Sequence, residues 1–296
     1  MWYMRIRVSD SRFSFLLAFP AWIYLNVLTF APLLYSVFLS VNQVQLTAQG
    51  FAFTFVGFDN FLKSIADITF QDSTRFTVIY TIGAVVVEFF LGLGFALALN
   101  TIRSPTKGSF MKATALVPAL ISPVVVALTF TLMYQDQYGL YNDVLQVVGL
   151  PRVAWLYDPS LAILSLIMTD IWCATPLVAL ILLAGLSAVP QEPLESALID
   201  GATPARILWN ITLPMMKPTI LVVLLMRTMD ALRTFELPFL ITGGGPGQST
   251  SSLMYYAYRT TFEYTNIGGG AAMSYIIVFI IALASVAYMR LLGREV

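Results

Sequence analysis

The sequence has no histidine and only one cysteine, Cys173, among its 296 residues. It therefore cannot form a metal site with a histidine ligand, a histidine-based catalytic triad or an intrachain disulfide. There is no nucleophile elbow and no phosphate-binding Gly-x-x-x-x-Gly-Lys-Ser/Thr sequence, so we predict neither catalytic residues nor a bound metal, and no ATPase activity of its own. A membrane enzyme is thus the least favoured function.

Charged residues are also scarce, at 11% of the chain, against about 25% in an average soluble domain. The formal net charge is zero and no basic cluster occurs, which argues against a nucleic-acid partner. Hydrophobic residues make up 58% of the sequence. Together these values predict an integral membrane protein surrounded by lipid.

Six apolar segments are each long enough to cross a bilayer, which takes about 20 residues. Because hydrocarbon cannot satisfy open backbone groups, these segments should be helices, and we predict an all-α fold with a single transmembrane domain over 1–296. The first segment is too long for a cleaved signal peptide and should be retained. The predicted spans are 13–39, 76–99, 113–134, 160–184, 218–241 and 270–292.

Basic residues are distributed unequally between the two sides of these spans. One side holds ten of them, Arg5, Arg7, Arg12, Arg103, Lys107, Lys112, Arg206, Lys217, Arg290 and Arg294. The other side holds four, Lys63, Arg75, Arg152 and Arg259. The positive-inside rule then places both termini and the loop 190–217 in the cytoplasm.

That cytoplasmic loop has the pattern of two short helices joined by a bend. Pro193 suits a helix start, and Gly201 permits a sharp turn. Thr203 followed by Pro204 is typical of an N-cap and first helical position. From the residues alone, the loop is either a docking element or a simple interfacial helix pair.

The spacing within the loop resembles a motif of permease subunits of ATP-binding-cassette importers: Glu-Ala-Ala, three residues, Gly, nine residues, Ile-x-Leu-Pro. Glu195, Ala197, Gly201 and the segment 211–214 match in register, and Ser196 replaces the second motif residue with another small one. The resemblance implies a type I importer permease fold and a coupling helix that contacts an ATPase. The residues assigned to this coupling are Glu195, Ser196, Ala197, Asp200, Gly201, Ala202, Ile211, Leu213 and Pro214.

The stretch from Leu240 through Gly247 to Thr260 is similar to the carbohydrate-uptake branch of these permeases, as in maltose, trehalose and glycerol-phosphate systems. The resemblance implies a bacterial or archaeal cytoplasmic (inner) membrane location and a sugar-like solute. It further implies three kinds of partner: a second, related permease, an ATPase dimer, and an extracytoplasmic solute-binding protein. ATP and Mg would be bound by the ATPase and no cofactor by this chain.

Six charged residues fall within the predicted spans, where a lipid-facing charge costs about 2.5–3.5 kcal/mol or more. They are Glu88, Asp170, Arg227, Asp230, Arg233 and Glu236. Two interpretations stay open: a buried ion-pair seam that holds the fifth span, or a polar lining of a translocation path. For the second, the candidates are Asp170, Trp172, Thr175, Arg227, Asp230 and Arg233. Glu88 is assigned a structural hydrogen bond to the third or fourth span.

Outside the spans, we predict a short surface helix after Gly57, a tight turn over 242–247 and a short helix over 253–262. Pro118 and Pro123 predict a kink in the third span. The alternative function is a stand-alone ion-coupled secondary transporter. Such carriers usually show inverted repeats with broken helices at matched positions, and we find no such symmetry in the sequence.

Overall fold

A computed structural model of the protein describes residues 11–48, 50–102 and 105–292. Most of these residues are helical. The helices are α1 (Ser11–Ser40), α2 (Asp59–Ala66), α3 (Ile68–Asn100), α4 (Pro105–Ala115), α5 (Val117–Leu120), α6 (Pro123–Met133), α7 (Leu140–Val147), α8 (Pro159–Ser187), α9 (Gln191–Ile199), α10 (Pro204–Ile207), α11 (Leu213–Met215), α12 (Lys217–Leu232), α13 (Leu253–Tyr258) and α14 (Ile267–Leu292). π-Helical turns cover Leu208–Thr212, Pro238–Thr242 and Arg259–Glu263. The strands are β1 (Asn42–Thr47) and β2 (Gly50–Phe55).

Four helices, α1, α3, α8 and α14, are long and apolar enough to cross a membrane. They correspond to the first, second, fourth and sixth predicted spans. A bent pair, Pro204–Met215 with Lys217–Leu232, meets the same criteria at an angle of 72°. Part of the charge argument for cytoplasmic termini rests on Arg5, Arg7, Arg103 and Arg294, which lie outside the described residues.

The third predicted span is divided into α4, α5 and α6. Leu116 separates the first two, and Ile121 and Ser122 adopt extended backbone between the second and third. Pro118 and Pro123 each stand at the start of a helix, where a residue without an N–H is tolerated. The third span is therefore broken at two places, where the sequence predicted a kink.

The fifth predicted span, 218–241, is not one helix either. α12 ends at Leu232, and a separate π-helical turn begins at Pro238. Glu236 and Leu237 are already helical before this proline, so the break lies at residues 233–235 rather than at Pro238. The non-helical stretch between the two pieces carries Thr234 and lies beside the charged residues that end α12.

The most extensive helix pairing joins α3 to α8. Gly92 allows it, because a Cβ at this position would lie only 2.5 Å from Cγ1 of Val178. Ala96 is buried one turn further along α3, in a core with Leu182 and Val223. Gly92 and Ala96 of the second span thus serve packing within the subunit, whereas Gly94 and Ala98 are exposed.

A β-hairpin follows α1, and it corrects the expectation of an all-α protein. β1 and β2 pair antiparallel, with Asn42 opposite Phe55 and Thr47 opposite Gly50. Asn42 and Val44 of β1 are buried, whereas every residue of β2 is exposed. The predicted surface helix after Gly57 is present as α2, and the predicted helix over 253–262 as α13 with its π-helical turn.

Candidate functional site

The loop after α8 has the predicted helix–bend–helix shape. α9 begins at Gln191, two residues before the expected Pro193. At its end, Gly201 adopts a left-handed φ of +75°, and its N–H donates to Leu198 O at 3.1 Å. Ala202 N donates to Ala197 O at 2.9 Å. These paired bonds form a Schellman motif, which fixes the direction of the bend.

The second helix of the loop begins as its sequence predicts. Thr203 Oγ1 accepts a hydrogen bond from Arg206 N at 3.4 Å, and Pro204 is the first helical residue. Helical structure continues to Met215 through the π-helical turn that contains Ile211. Leu213, half-buried, packs against the core of α3, α8 and α12, so this helix is anchored to the transmembrane part.

The loop displays large apolar side chains to its surroundings. Ile199 is 87% exposed, and Leu198 and Trp209 are also exposed. Among the residues assigned to coupling, Glu195, Ser196, Asp200, Gly201 and Pro214 are exposed, Ala202, Ile211 and Leu213 are half-buried, and Ala197 is buried. Apolar side chains rimmed by charges are typical of a protein contact surface.

The second feature is an ion-pair network between three helices. Arg227 of α12 donates from Nε to Glu88 Oε2 at 2.7 Å and from Nη2 to Glu88 Oε1 at 3.0 Å. The same Nη2 lies 3.2 Å from both carboxylate oxygens of Asp170 on α8. We expected Glu88, on α3, to form a hydrogen bond to the third or fourth span. Its hydrogen-bond partner is instead Arg227, in the fifth span.

Beside this network lies a cavity of about 510 Å³. Of the six residues assigned to a path, it is lined by Asp170, Arg227, Asp230 and Arg233. Trp172 and Thr175 are not among its lining residues. Trp172 instead contacts Phe130, with ring centroids 5.3 Å apart. The hydroxyl of Thr175 is buried and has no hydrogen-bond partner among the described residues.

The intramembrane charges differ in burial. Glu88 is fully buried and forms the seam, whereas Asp230 and Arg233 are about half exposed at the cavity. Asp230 pairs with Arg233 at 2.8 Å and lies 3.8 Å from Arg227, as their three-residue spacing predicts. In the described part of the chain, no ion pair joins Arg233 to Glu236.

The sequence analysis did not consider two polar residues of the cavity lining, Tyr80 and Thr234. Tyr80 is almost completely buried, and its hydroxyl accepts a hydrogen bond from Thr234 Oγ1 at 3.5 Å. Tyr80 is the only tyrosine in the second predicted span, where the other aromatic residues are phenylalanines, and this is the signal that could have identified it. Glu236 was identified as an intramembrane charge but was not assigned to the path, and it also lines the cavity.

The cavity combines polar groups on one wall with apolar side chains on the others, among them Val126, Leu177 and Met254. Carboxylates and a phenol accept or donate hydrogen bonds to hydroxyl groups, and apolar walls suit the faces of a sugar ring. No group of three potential metal ligands occurs within residues 11–48, 50–102 and 105–292. The cavity thus offers hydrogen-bonding groups beside apolar surface.

The sequence matches a family model and curated relatives over most of its length. Residues 89–296 match the family model described as binding-protein-dependent transport system inner membrane component. The chain is 35% identical over 295 residues to the trehalose/maltose transport system permease protein MalF of Thermococcus litoralis, covering 98% of this chain and 96% of that one. It is 33% identical to the sulfoquinovosyl glycerol transport system permease protein SmoG of Agrobacterium fabrum, covering 99% and 94%.

A solved structure shares the fold. The chain superposes on a subunit of a bacterial alginate ABC transporter, crystallised in complex with an alginate pentasaccharide-bound periplasmic protein, with a TM-score of 0.81. The match covers 96% of this chain and 94% of that one, at 22% sequence identity. At this level of identity, the likeness shows a common fold.

Proposed function

The chain belongs to the family of binding-protein-dependent transport system inner membrane components, and we propose that it forms half of the translocation path of an ATP-driven importer for a sugar or sugar-like solute. The observation that carries the proposal is the rigid helix–bend–helix loop around Gly201, with Ile199 exposed at its tip. A secondary carrier would have no use for such a surface.

ATP hydrolysis requires a separate subunit, because this chain has no phosphate-binding motif. In the proposed assembly, the ATPase contacts the exposed residues Glu195 and Asp200 and the apolar tip of α9. Closure of an ATPase dimer would move this loop as a rigid body. Since Leu213 joins the loop to the packed core of α3, α8 and α12, the movement would reach the cavity.

Two further partners are proposed. A second, related permease would complete the path, because the cavity of this chain is open on one side and is lined mainly by α8, α12 and the segment after α12. A solute-binding protein would deliver the solute at the opposite end from the α9 loop. We place the assembly in a bacterial or archaeal cytoplasmic membrane, with six spans, two of them broken, and both termini in the cytoplasm.

The sugar class is supported by the names of relatives that transport trehalose, maltose or sulfoquinovosyl glycerol. The cavity supports it independently, since Asp230 and Tyr80 offer hydrogen bonds beside apolar walls. About 510 Å³ is enough for a ligand of disaccharide size, given that small-molecule pockets span about 300–1,000 Å³.

An affinity pull-down of the tagged chain from mild detergent, followed by mass spectrometry, tests the proposal. We expect a separate ATPase and a second multi-span permease to be recovered. The ATPase should be lost in the double variant Glu195→Ala/Gly201→Val and retained in the control Asp143→Asn, which alters an exposed external residue. Recovery of the chain alone, still transporting under an ion gradient, would support the secondary carrier instead.

A further inference from the structure

Membership of the family does not determine the charge of the solute. The charged residues that line the cavity allow this charge to be inferred. Three carboxylates line the cavity, those of Asp170, Asp230 and Glu236, against two guanidinium groups, those of Arg227 and Arg233. A fourth carboxylate, Glu88, lies directly behind Arg227. No lysine is among the lining residues. The cavity wall therefore has an excess of negative charge.

Both arginines already have carboxylate partners. Arg227 is held by Glu88 at 2.7 Å and by Asp170 at 3.2 Å, and only a tenth of its side chain is exposed. Arg233 donates from Nη2 to Asp230 at 2.8 Å and from Nε to Met229 O at 3.1 Å. An anionic solute would therefore meet two guanidinium groups whose positive charges are already balanced by neighbouring carboxylates.

Glu236, unlike the two arginines, has no partner of opposite charge among the described residues. Its side chain is exposed at the cavity. Asp230 is also 44% exposed, so part of its carboxylate remains free to accept hydrogen bonds from a solute. The apolar walls strengthen the effect, since clefts with low-dielectric walls concentrate the field of the charges that line them.

We propose that the cavity of this chain selects by charge: it admits neutral polyhydroxylated and cationic solutes, such as unmodified sugars or amino sugars, and excludes phosphorylated, sulfonated or uronic-acid sugars. This selectivity rests on the proposed function, because it takes the cavity to be part of the solute path. It assigns Glu236 and Asp230 a role in specificity, and Glu88 and Asp170 a role in neutralising Arg227.

The natural cysteine offers a direct test. Cys173 lines the cavity and is the only cysteine in the chain, so it reports the local potential without further engineering. The measurement is the rate at which it is modified, in the detergent-purified assembly, by a cationic trimethylammonium-ethyl and an anionic sulfonatoethyl methanethiosulfonate reagent. Each rate is divided by the rate of the same reagent with free cysteine. We expect the normalised rate to be higher for the cationic reagent.

Two variants connect that ratio to the proposed residues. Glu236→Gln and Asp230→Asn should each lower the cation-to-anion ratio by about two- to fivefold, as expected for the removal of one unit charge from a hydrated, salt-screened site. Asp143→Asn removes a carboxylate outside the cavity and should leave the ratio unchanged. Leu177→Cys in a Cys173→Ala background provides a second, more exposed reporter on the same lining.

A normalised ratio at or below one at both reporters would overturn the inference, as would a ratio that neither carboxylate variant changes. Because no solute is needed, this outcome is separable from failure of the proposed function. If the ATPase is recovered in the pull-down but the cavity favours the anionic reagent, the proposed function stands. The proposed charge selectivity is then wrong.

Discussion

The guanidinium of Arg227 and the carboxylate of Glu88 form a two-point hydrogen-bonded pair, with an Nε–Oε2 distance of 2.7 Å and an Nη2–Oε1 distance of 3.0 Å. The pair joins α3 to α12 across 139 residues of sequence, and Glu88 is fully buried. Asp170 on α8 shares the same guanidinium. One arginine thus pairs with two carboxylates and holds three helices together.

Loss of Arg227 should be the most damaging single change in this network. Arg227→Ala leaves both Glu88 and Asp170 without a counter-charge, and removing one partner of a buried pair costs about 3–5 kcal/mol. Glu88→Ala should cost less, because Arg227 keeps Asp170. The measurement is thermal unfolding in detergent. Arg233→Ala, which breaks a half-exposed pair, is the control and should cost at most about 1 kcal/mol. Equal losses in the two arginine variants would contradict this ranking.

The sequence allowed the shape of the cytoplasmic loop to be predicted because local chemistry determines it. Gly201 is needed for a positive φ, and Thr203 with Pro204 begins a helix whatever surrounds it. The prolines at 118 and 123 likewise predicted a disturbed third span. These features depend on neighbours within a few residues, so no tertiary structure is required to find them.

Features that depend on tertiary contacts could not be found in this way. The six intramembrane charges were identified by their cost in lipid, but the pairing of Glu88 with Arg227 depends on how α3 and α12 pack. The β-hairpin was missed although Val44 and Leu46 alternate with polar residues in β1, and phenylalanines occupy every second position of β2. Trp172 was expected at the cavity with Asp170, yet it contacts Phe130 instead.

The hydrogen bond from Tyr256 OH to Asp67 Oδ2, at 2.6 Å, fastens α13 to the start of α3 and gives a pH-dependent prediction. Burial and then the Asp67 carboxylate raise the pKa of Tyr256 from its ordinary value of 10.0 to about 12. Because the folded state holds the proton more tightly, this contribution to stability is fully present below pH 10 and is lost as the pH rises towards 12.

We therefore expect Tyr256→Phe to destabilise the protein by about 1–3 kcal/mol at neutral pH, and to remove part of the decline in stability above pH 10. The measurement is the unfolding midpoint in detergent between pH 7 and 12. Tyr138→Phe, at an exposed tyrosine, serves as the control. A variant that declines as steeply as the parent protein would show that Tyr256 does not contribute to the pH dependence.

The left-handed bend at Gly201 should be required for coupling rather than for folding. A Cβ at this position would meet no atom within 4 Å, so the cost of a side chain is conformational, about 1–2 kcal/mol for a φ of +75°. Gly201→Val should shift the bend, so that ATP hydrolysis continues while uptake falls. Gly201→Asn should behave nearly like the parent, because asparagine tolerates this conformation.

The role of the bend in coupling is tested by measuring uptake and ATPase activity in the same proteoliposomes. Gly94→Ala is a matched control, since a Cβ at Gly94 also meets nothing within 4 Å but the residue lies inside α3 with a helical backbone. Unchanged coupling in Gly201→Val, or equal effects of the valine and asparagine variants, would argue against a role for the bend.

Asp230 should matter more for transport than for assembly. Its carboxylate lines the cavity, is 44% exposed, and pairs with Arg233 at 2.8 Å. A half-exposed pair contributes at most about 1 kcal/mol to folding, so Asp230→Ala should still assemble with its partners.

A hydrogen bond from a solute hydroxyl to a charged group contributes about 1.5–3 kcal/mol, which corresponds to a loss of uptake of about 10- to 150-fold. Uptake of a sugar that the parent complex transports is compared with the amount of assembled complex, and Glu263→Gln, which breaks a pair with Arg259, is the control. Normal uptake in Asp230→Ala, or a complex that does not form, would be incompatible with a role for this carboxylate in the solute path.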